Sequence, residues 1–204
     1  FSCPRNLQEN FKMKKNPLVS IIIPVYNEQK VLKNLLDSIK GQTYKKIEII
    51  IIDDGSGDNT VKIAKKYNTR IYLRRHQERS VQRNFGAKAA RGRYLLFLDA
   101  DMRLSKNVIR ECMDGVYTNN LRAVIIPEES FGRGFWALCK HLEKSFYIGV
   151  DFIEAARFYE KRAFLEAGGY DESLVSGEDW YLSQKAEKNG KIARIRSKIF
   201  HDEG

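Results

Sequence analysis

Two carboxylates, Asp99 and Asp101, stand two positions apart directly behind an apolar run, Tyr94–Leu98. At a strand end such residues point to one side, about 6–7 Å apart at the backbone for a rise of ~3.3 Å per residue. Carboxylates so placed repel each other, and any phosphate, unless a cation lies between them. Mn²⁺ and Mg²⁺ take oxygen ligands and bridge protein carboxylates to substrate phosphates. An isolated D-x-D is more often a solvated loop; its place at a strand end favours the metal reading. A second acidic pair, Asp53-Asp54, follows another apolar run and precedes Gly55-Ser56. A carboxylate there can accept from a base N–H or from ribose hydroxyls, although Asp, Gly and Ser also make plain turns. A third pair, Glu178-Asp179, opens a helical pattern, where the positive end of the helix dipole favours ionised acids. Ser176 and Asp179 have capping-box spacing. Against that structural role stands a chemical one: a carboxylate beside Trp180 that takes the proton from a hydroxyl.

Arginine is dense between Arg70 and Arg93, at Arg74, Arg75, Arg79, Arg83 and Arg91. Most of these read as a solvated basic face. Arg83 differs, because it shares a helical face with Ala87 and Ala90, the face that should pack on a sheet. A guanidinium turned inward needs an anionic partner, supplied by a pyrophosphate or by one of the strand-end aspartates. Of the three histidines, His201 follows a strand pattern and is the one to single out, although taken alone it reads as structural; His76 and His141 carry no supporting pattern and read as surface residues.

The elements that must position these groups alternate. Val19–Pro24 is a β-branched run; Asn27 is placed to cap a helix with Val31, Leu32, Leu35, Leu36 and Ile39 on one face. Ile47–Ile52 is an apolar strand of the kind covered on both faces, and Asp58 is placed to cap a short helix after it. Arg70–Arg75 is a weaker strand, followed by a helix that Ser80 caps and Gly92 ends, and then by Tyr94–Leu98. A helix from about Lys106 and a strand at Ala123–Ile126 complete this half. Alternation of this kind predicts right-handed βαβ units in an open, mostly parallel sheet. Ligands of such sheets lie beyond the carboxyl ends of the strands, where Tyr26, Glu28, Asp53, Asp54, Asp99 and Asp101 all fall. After about Phe131 the pattern changes to an aromatic, glycine-bearing stretch. A strand or helix at Phe158–Leu165, a turn at Gly168-Gly169-Tyr170, a helix at Glu178–Lys188 and a strand at Ile192–Ile195 follow. This part reads as a second lobe on the same sheet, so the chain is one α/β domain.

Composition sets the outer limits. With 204 residues, 43% of them apolar and 30% charged, the chain suits one buried core. No apolar run reaches the roughly 18 residues that span a bilayer, and no basic stretch followed by an apolar core opens the sequence. Cys3, Cys112 and Cys139 show no ligand spacing, and Cys112 falls on the apolar face of a helix; a reducing, cytoplasmic setting is expected. The net charge of +10 calls for a polyanionic partner: nucleic acid, an anionic membrane or a diphosphate. Residues 1–17 read as an N-terminal extension ahead of the first strand, with residues 1–12 upstream of Met13-Lys14-Lys15, which looks like a natural start; further residues are expected beyond Gly204.

In order along the chain, these pieces resemble the inverting family 2 glycosyltransferases of the GT-A fold. The matching text is Val19–Glu28, then Ile52-Asp53-Asp54-Gly55-Ser56 with Asp58 and Thr60. Arg83-Asn84-Phe85-Gly86 and Gly92–Asp101 follow, and then Gly168–Glu172 and Gly177-Glu178-Asp179-Trp180. The resemblance implies a Rossmann-like mixed, mostly parallel sheet over residues 18–204, with a nucleotide-sugar half at 18–127 and an acceptor half at 128–204. It implies a nucleotide-diphosphate sugar as donor, Mn²⁺ or Mg²⁺ as cofactor, and a glycan, lipid-linked or protein acceptor. Pro24, Tyr26, Glu28, Asp53 and Asp54 would hold the nucleoside, and Arg83 would lie near the donor phosphates. Asp99 and Asp101 would form the metal pair with His201 as a further ligand, and Asp179 would be the catalytic base with Glu178 beside it. Met102 stands where many members carry another acid, which shifts coordination toward His201. The Q-x-x-R-W signature of processive synthases is missing, which favours single-sugar transfer. The basic surface suggests a peripheral contact with the cytoplasmic face of an anionic membrane, and no nucleic-acid partner is expected. Two rival readings are a nucleotidyltransferase, which should carry a glycine-rich loop where Pro24–Glu28 stands, and a noncatalytic nucleic-acid-binding domain. A catalytically dead sugar-binding relative is a third, against which Asp99, Asp101 and Asp179 argue.

Overall fold

The computed structural model describes residues 16–131, 155–188 and 190–202. The chain opens β1 (Val19–Val25), α1 (Leu32–Lys40), β2 (Ile47–Asp53), α2 (Thr60–Ala64), β3 (Thr69–Leu73), α3 (Arg79–Ala89) and β4 (Tyr94–Phe97). It continues with β5 (Met102–Leu104), α4 (Val108–Thr118), β6 (Ala123–Ile125), β7 (Glu128–Phe131) and β8 (Ala156–Glu160). Helices α5 (Lys161–Glu166) and α6 (Glu178–Lys188) and strands β9 (Ile192–Arg194) and β10 (Ile199–Asp202) complete it. Seven strands form one sheet in the order β3-β2-β1-β4-β8-β6-β9. Only β8 runs against its neighbours, β4 and β6; the remaining pairings are parallel. The later strands therefore join the sheet built by the first half, as a single α/β domain requires.

Strand alternation divides the core. Ile21, Ile23, Ile51 and Leu96 face α1 and α4, where Leu32, Leu35, Leu36, Ile39, Ile109 and Cys112 are fully buried. Ile22, Ile50, Ile52 and Phe97 face the other way, against Ala87, Phe164, Tyr170 and Leu182. Each fully buried leucine or isoleucine stabilises the fold by roughly 1.5–3 kcal/mol relative to exposure. The buried Cys112 matches the apolar face read from the sequence; Cys3, Cys139 and His141 lie outside the described residues, as does most of the aromatic stretch after Phe131.

Helix starts differ from the sequence reading. α1 begins at Leu32 with Val31 as its cap. Asn27 instead adopts a left-handed φ of 56°, and its Oδ1 accepts from the Gly57 amide at 2.8 Å. Ser80, expected as a cap, lies inside α3 and is buried; Glu78 precedes the helix. Asp58 sits one residue ahead of the α2 cap position, yet its Oδ1 does accept from the Thr60 amide at 2.9 Å. The predicted cap residues thus tie loops together more than they terminate helices. Three-residue β5 and the strands β7 and β10 form a second sheet, β5-β10-β7, that the sequence did not suggest. Its elements are too short to show a periodicity of their own.

Candidate functional site

The order of the large sheet reverses at β1, between β2 and β4, and a cleft of about 670 Å³ opens beyond the carboxyl ends of these strands. That is where open α/β sheets take ligands, and the volume suits a small organic molecule. Pro24, Tyr26, Glu28, Asp54, Asp99, Asp101, Glu178, Asp179 and His201 line it. Two expected residues do not. Asp53 is buried below, where its Oδ2 accepts from the amides of Gly55 at 3.2 Å and Ser56 at 3.1 Å; it holds the turn, and its neighbour Asp54 faces the cleft. Arg83 is fully buried and meets carboxylates rather than the cleft.

At one end of the cleft Asp54 is firmly held. Its Oδ1 accepts from the Gln77 amide at 3.0 Å and from Gln82 Nε2. Oδ2 lies 2.6 Å from His76 Nδ1. The His76 ring in turn lies 5.4 Å from that of Tyr26, which is half exposed. His76 carries no sequence pattern and is exposed, as a surface histidine would be, but it belongs to the cleft wall. The opposing loop is laced to the α2 end: Glu28 N donates to Thr60 Oγ1 at 2.7 Å and Gln29 N to Asp58 Oδ2 at 3.1 Å. Arg79, assigned to a solvated face, lines the cleft as well.

The centre of the site is a chain of alternating charges. Arg83 Nη1 contacts Asp179 Oδ1 at 2.7 Å and Glu178 Oε1 at 3.3 Å, and Nη2 contacts Asp99 Oδ1 at 2.7 Å. Asp99 Oδ2 lies 3.6 Å from Nη1 of Arg157 on β8, whose Nε donates to Glu128 Oε1. Glu128 Oε2 lies 2.7 Å from His201 Nε2, and His201 Nδ1 lies 3.9 Å from Asp101 Oδ1. Burial alone would push the Asp99 carboxyl up, but the guanidinium groups of Arg83, Arg157 and Arg79 outweigh it and hold Asp99 well below the usual range. Glu128 is likewise held down, to about 2: Arg157 and His201 overcome its desolvation. Asp179 turns to Arg83 instead of closing a capping box, and Gly177, at φ 76°, precedes the helix. The sequence reading offered Arg83 two partners, a pyrophosphate or a strand-end aspartate; the aspartate is what the fold supplies.

Local structure explains why these groups converge. Gly86, one turn beyond Arg83, lets α3 rest on the sheet: a Cβ there would meet Ile22 Cγ2 at 2.5 Å and Ile52 Cδ1 at 2.9 Å. Asn84 pins the turn before α6, accepting from Tyr170 N at 2.9 Å and donating to Tyr170 O at 2.9 Å. Its amide also donates to Glu172 at 2.8 Å. Pairing of β10 with β5 sets His201 opposite Met102, and pairing of β10 with β7 brings the β7 residue Glu128 near it. Met102 itself is buried, and its Sδ accepts from the Asp99 amide at 3.2 Å; the place of a further acid is taken by packing. Arg157 and Glu128 were missed from sequence. Arg157 sits in the apolar run Ala156–Tyr159 and was open to the same reasoning that singled out Arg83. Glu128 reaches His201 only through a non-local sheet.

Acids outnumber cations here. Glu28, Asp99, Asp101, Glu128, Glu178 and Asp179 share the region with the guanidinium groups of Arg79, Arg83 and Arg157. Desolvation, then repulsion from Asp101, Asp58 and Asp99, raises the Glu28 carboxyl. Asp101 Oδ1 is buried without a hydrogen-bond partner. The His201 ring lies between two acids, with Nε2 2.7 Å from Glu128 Oε2 and Nδ1 3.9 Å from Asp101 Oδ1. Among the described residues no group of three or more His, Cys, Asp or Glu side chains could hold an ion by itself. Asp101 and His201 stand together at the cleft, two side chains of the oxygen and nitrogen types that divalent cations accept beside substrate oxygens and water. Asp99, expected as a third ligand, is engaged on both oxygens by arginine.

The sequence profile described as Glycosyl transferase family 2 matches residues 20–167. The chain belongs to that family. Membership sets aside the nucleotidyltransferase reading and accounts for the order of the acidic motifs. Among family 2 relatives, the Bacillus subtilis protein named uncharacterized glycosyltransferase EpsJ is 39% identical over 113 residues, covering 53% of this chain and 33% of that protein. Chondroitin synthase of Escherichia coli is 25% identical over 214 residues, covering 96% of this chain and 31% of the relative. The chain spans about a third of the length of the curated relatives it matches. Among solved structures, Staphylococcus aureus TarS superposes with a TM-score of 0.75 at 22% identity, over 90% of this chain and 36% of its own. The mannosyltransferase PcManGT from Pyrobaculum calidifontis, in complex with GDP-Man and Mn²⁺, gives 0.70 at 19% identity, over 93% and 57%. These structures establish the GT-A fold.

Proposed function

We propose that the chain transfers a sugar, with inversion, from a nucleotide-diphosphate sugar to a hydroxyl of a glycan, lipid-linked or protein acceptor. The observation that carries this reading is the convergence in one cleft of Asp54, the Asp101–His201 pair and Asp179. Tyr26, His76 and Asp54 hold the nucleoside, with Asp54 kept in orientation by Gln77, Gln82 and His76. Arg83 grips Asp179 through Oδ1, and the other carboxylate oxygen takes the proton as the acceptor hydroxyl attacks the anomeric carbon from the face opposite the diphosphate. Asp101 and His201 would hold Mn²⁺ or Mg²⁺, which when bound would supply Lewis-acid stabilisation of the departing diphosphate. Arg79 on the cleft rim faces the same charge, and Arg83 acts indirectly, by fixing Asp99 and Asp179. Similarity to structures in complex with UDP-GlcNAc and with GDP-Man and Mn²⁺ supports the donor class.

The test is a panel of nucleotide sugars with Mn²⁺ present or chelated, scored by sugar release and thermal shift. At least one donor should stabilise the chain only when the metal is present; a panel without any response would reject the reading. Residues 18–127 contribute the donor half of the cleft and residues 128–204 the acceptor half. Among the described residues no helix is long and apolar enough to cross a membrane. The net charge of +10 supports peripheral attachment to the cytoplasmic face of an anionic membrane, where a lipid-linked acceptor would reside. Sedimentation with anionic vesicles at low salt checks this; equal recovery with neutral and anionic vesicles would contradict it.

A further inference from the structure

We infer that Arg157 is the positioning residue of the metal end of this site: through Glu128 it orients His201, and through Asp99 it joins that end to Arg83. The inference rests on the proposed transferase reading and deepens it. Arg157 is 8% exposed, on the interior strand β8, and does not line the cleft. Its guanidinium spans two carboxylates, Glu128 through Nε and Asp99 through Nη1 at 3.6 Å. Glu128 has its second oxygen on His201 Nε2 at 2.7 Å. A ring fixed through Nε2 directs Nδ1 toward Asp101, 3.9 Å away. Carboxylates behind ligand histidines set tautomer and ring angle; here the carboxylate is itself fixed by a buried cation. Without Arg157, Glu128 and Asp99 would lose their shared counter-charge and Glu128 would be able to swing from the ring. A lysine has one charge centre and no planar fork, so it cannot hold both acids in the same geometry.

Arg157→Met, Arg157→Lys and Glu128→Gln, each in the full 204-residue chain, separate this role from simple packing. Free Mn²⁺ is followed by its paramagnetic resonance signal during titration in the presence of UDP, and separately of GDP. Nucleotide binding without metal is measured in parallel by calorimetry. Arg157→Met and Glu128→Gln should each weaken Mn²⁺ uptake by roughly 10–100-fold, the usual scale for a group behind a ligand. Arg157→Lys should recover part of the loss, and metal-free nucleotide affinity should change by less than about threefold. Should Arg157→Met fail to fold, the lysine and glutamine variants carry the same comparison. Unchanged Mn²⁺ uptake in the folded variants overturns the inference alone, as does a parallel fall in metal-free nucleotide binding. Absence of Mn²⁺ uptake by the wild-type chain with either nucleotide overturns the proposed reaction, and the inference with it.

Discussion

Asp179 is the residue on which turnover should depend most. Replacing it with Asn keeps the shape and a hydrogen bond to Arg83 but removes the proton acceptor. Steady-state transfer should fall by roughly 10²–10⁴-fold, more than the stability lost by removing one charge partner of Arg83 explains; near-normal turnover would remove Asp179 from the role. Arg83 behaves differently, because its loss leaves Asp99, Asp179 and Glu178 without their common cation. Arg83→Met should destabilise the fold by about 3–5 kcal/mol, the scale for stranding one side of a buried ion pair, as read by urea denaturation. At this scale much of the site could be read in the sequence, since acids at strand ends and an arginine on a buried helical face are local patterns. Arg157 stands in an apolar run and was open to the argument applied to Arg83; Glu128 escaped because it meets His201 only through a non-local sheet, and His76 because an exposed histidine carries no pattern.

The elements place these groups through close approach. α3 rests on β1 and β2 at Gly86, and a methyl group there would run into Ile22 and Ile52. Gly86→Ala should cost about 1–3 kcal/mol through overpacking. It should also lower transfer more than its stability loss explains, since any lift of α3 carries Arg83 with it. Parallel melting and activity measurements check both effects; a loss of stability with full turnover would show that the site tolerates the shift. The parallel half of the sheet was legible because β1, β2 and β4 are strongly apolar, interrupted only by Ser20 and Pro24 in β1 and by Glu48 and the terminal Asp53 in β2, and α1 has a clear apolar face. The small sheet β5-β10-β7 was not, because strands of three or four residues joined across distant segments leave no periodic trace. That sheet brings His201 to Asp101, so the most consequential non-local geometry was the least readable.

Across the whole molecule, the local excess of acid sits inside a chain of net charge +10. Asp99 and Glu128 have folded-state values below their unfolded ones. Above about pH 4.5 their ion pairs contribute fully; as pH falls through the window from 4.5 toward 2 the unfolded state binds more protons and that stability is lost. The raised carboxyl of Glu28 acts in the opposite sense, its repulsion growing as pH rises. Denaturation midpoints of the metal-free chain should therefore decline with acid below about pH 4.5, and Glu128→Gln should flatten that decline. Midpoints that held steady to pH 2.5 would contradict this assignment of the buried charges. The claim beneath all of this is that the acidic cleft takes a divalent cation together with a sugar diphosphate. Calorimetric titration of UDP- and GDP-sugars, with Mn²⁺ and then with chelator, tests it most directly in wild type and Asp101→Asn. Binding that requires Mn²⁺ and drops at least tenfold in the variant is the predicted result; binding indifferent to metal and to Asp101, or absent throughout, would contradict it.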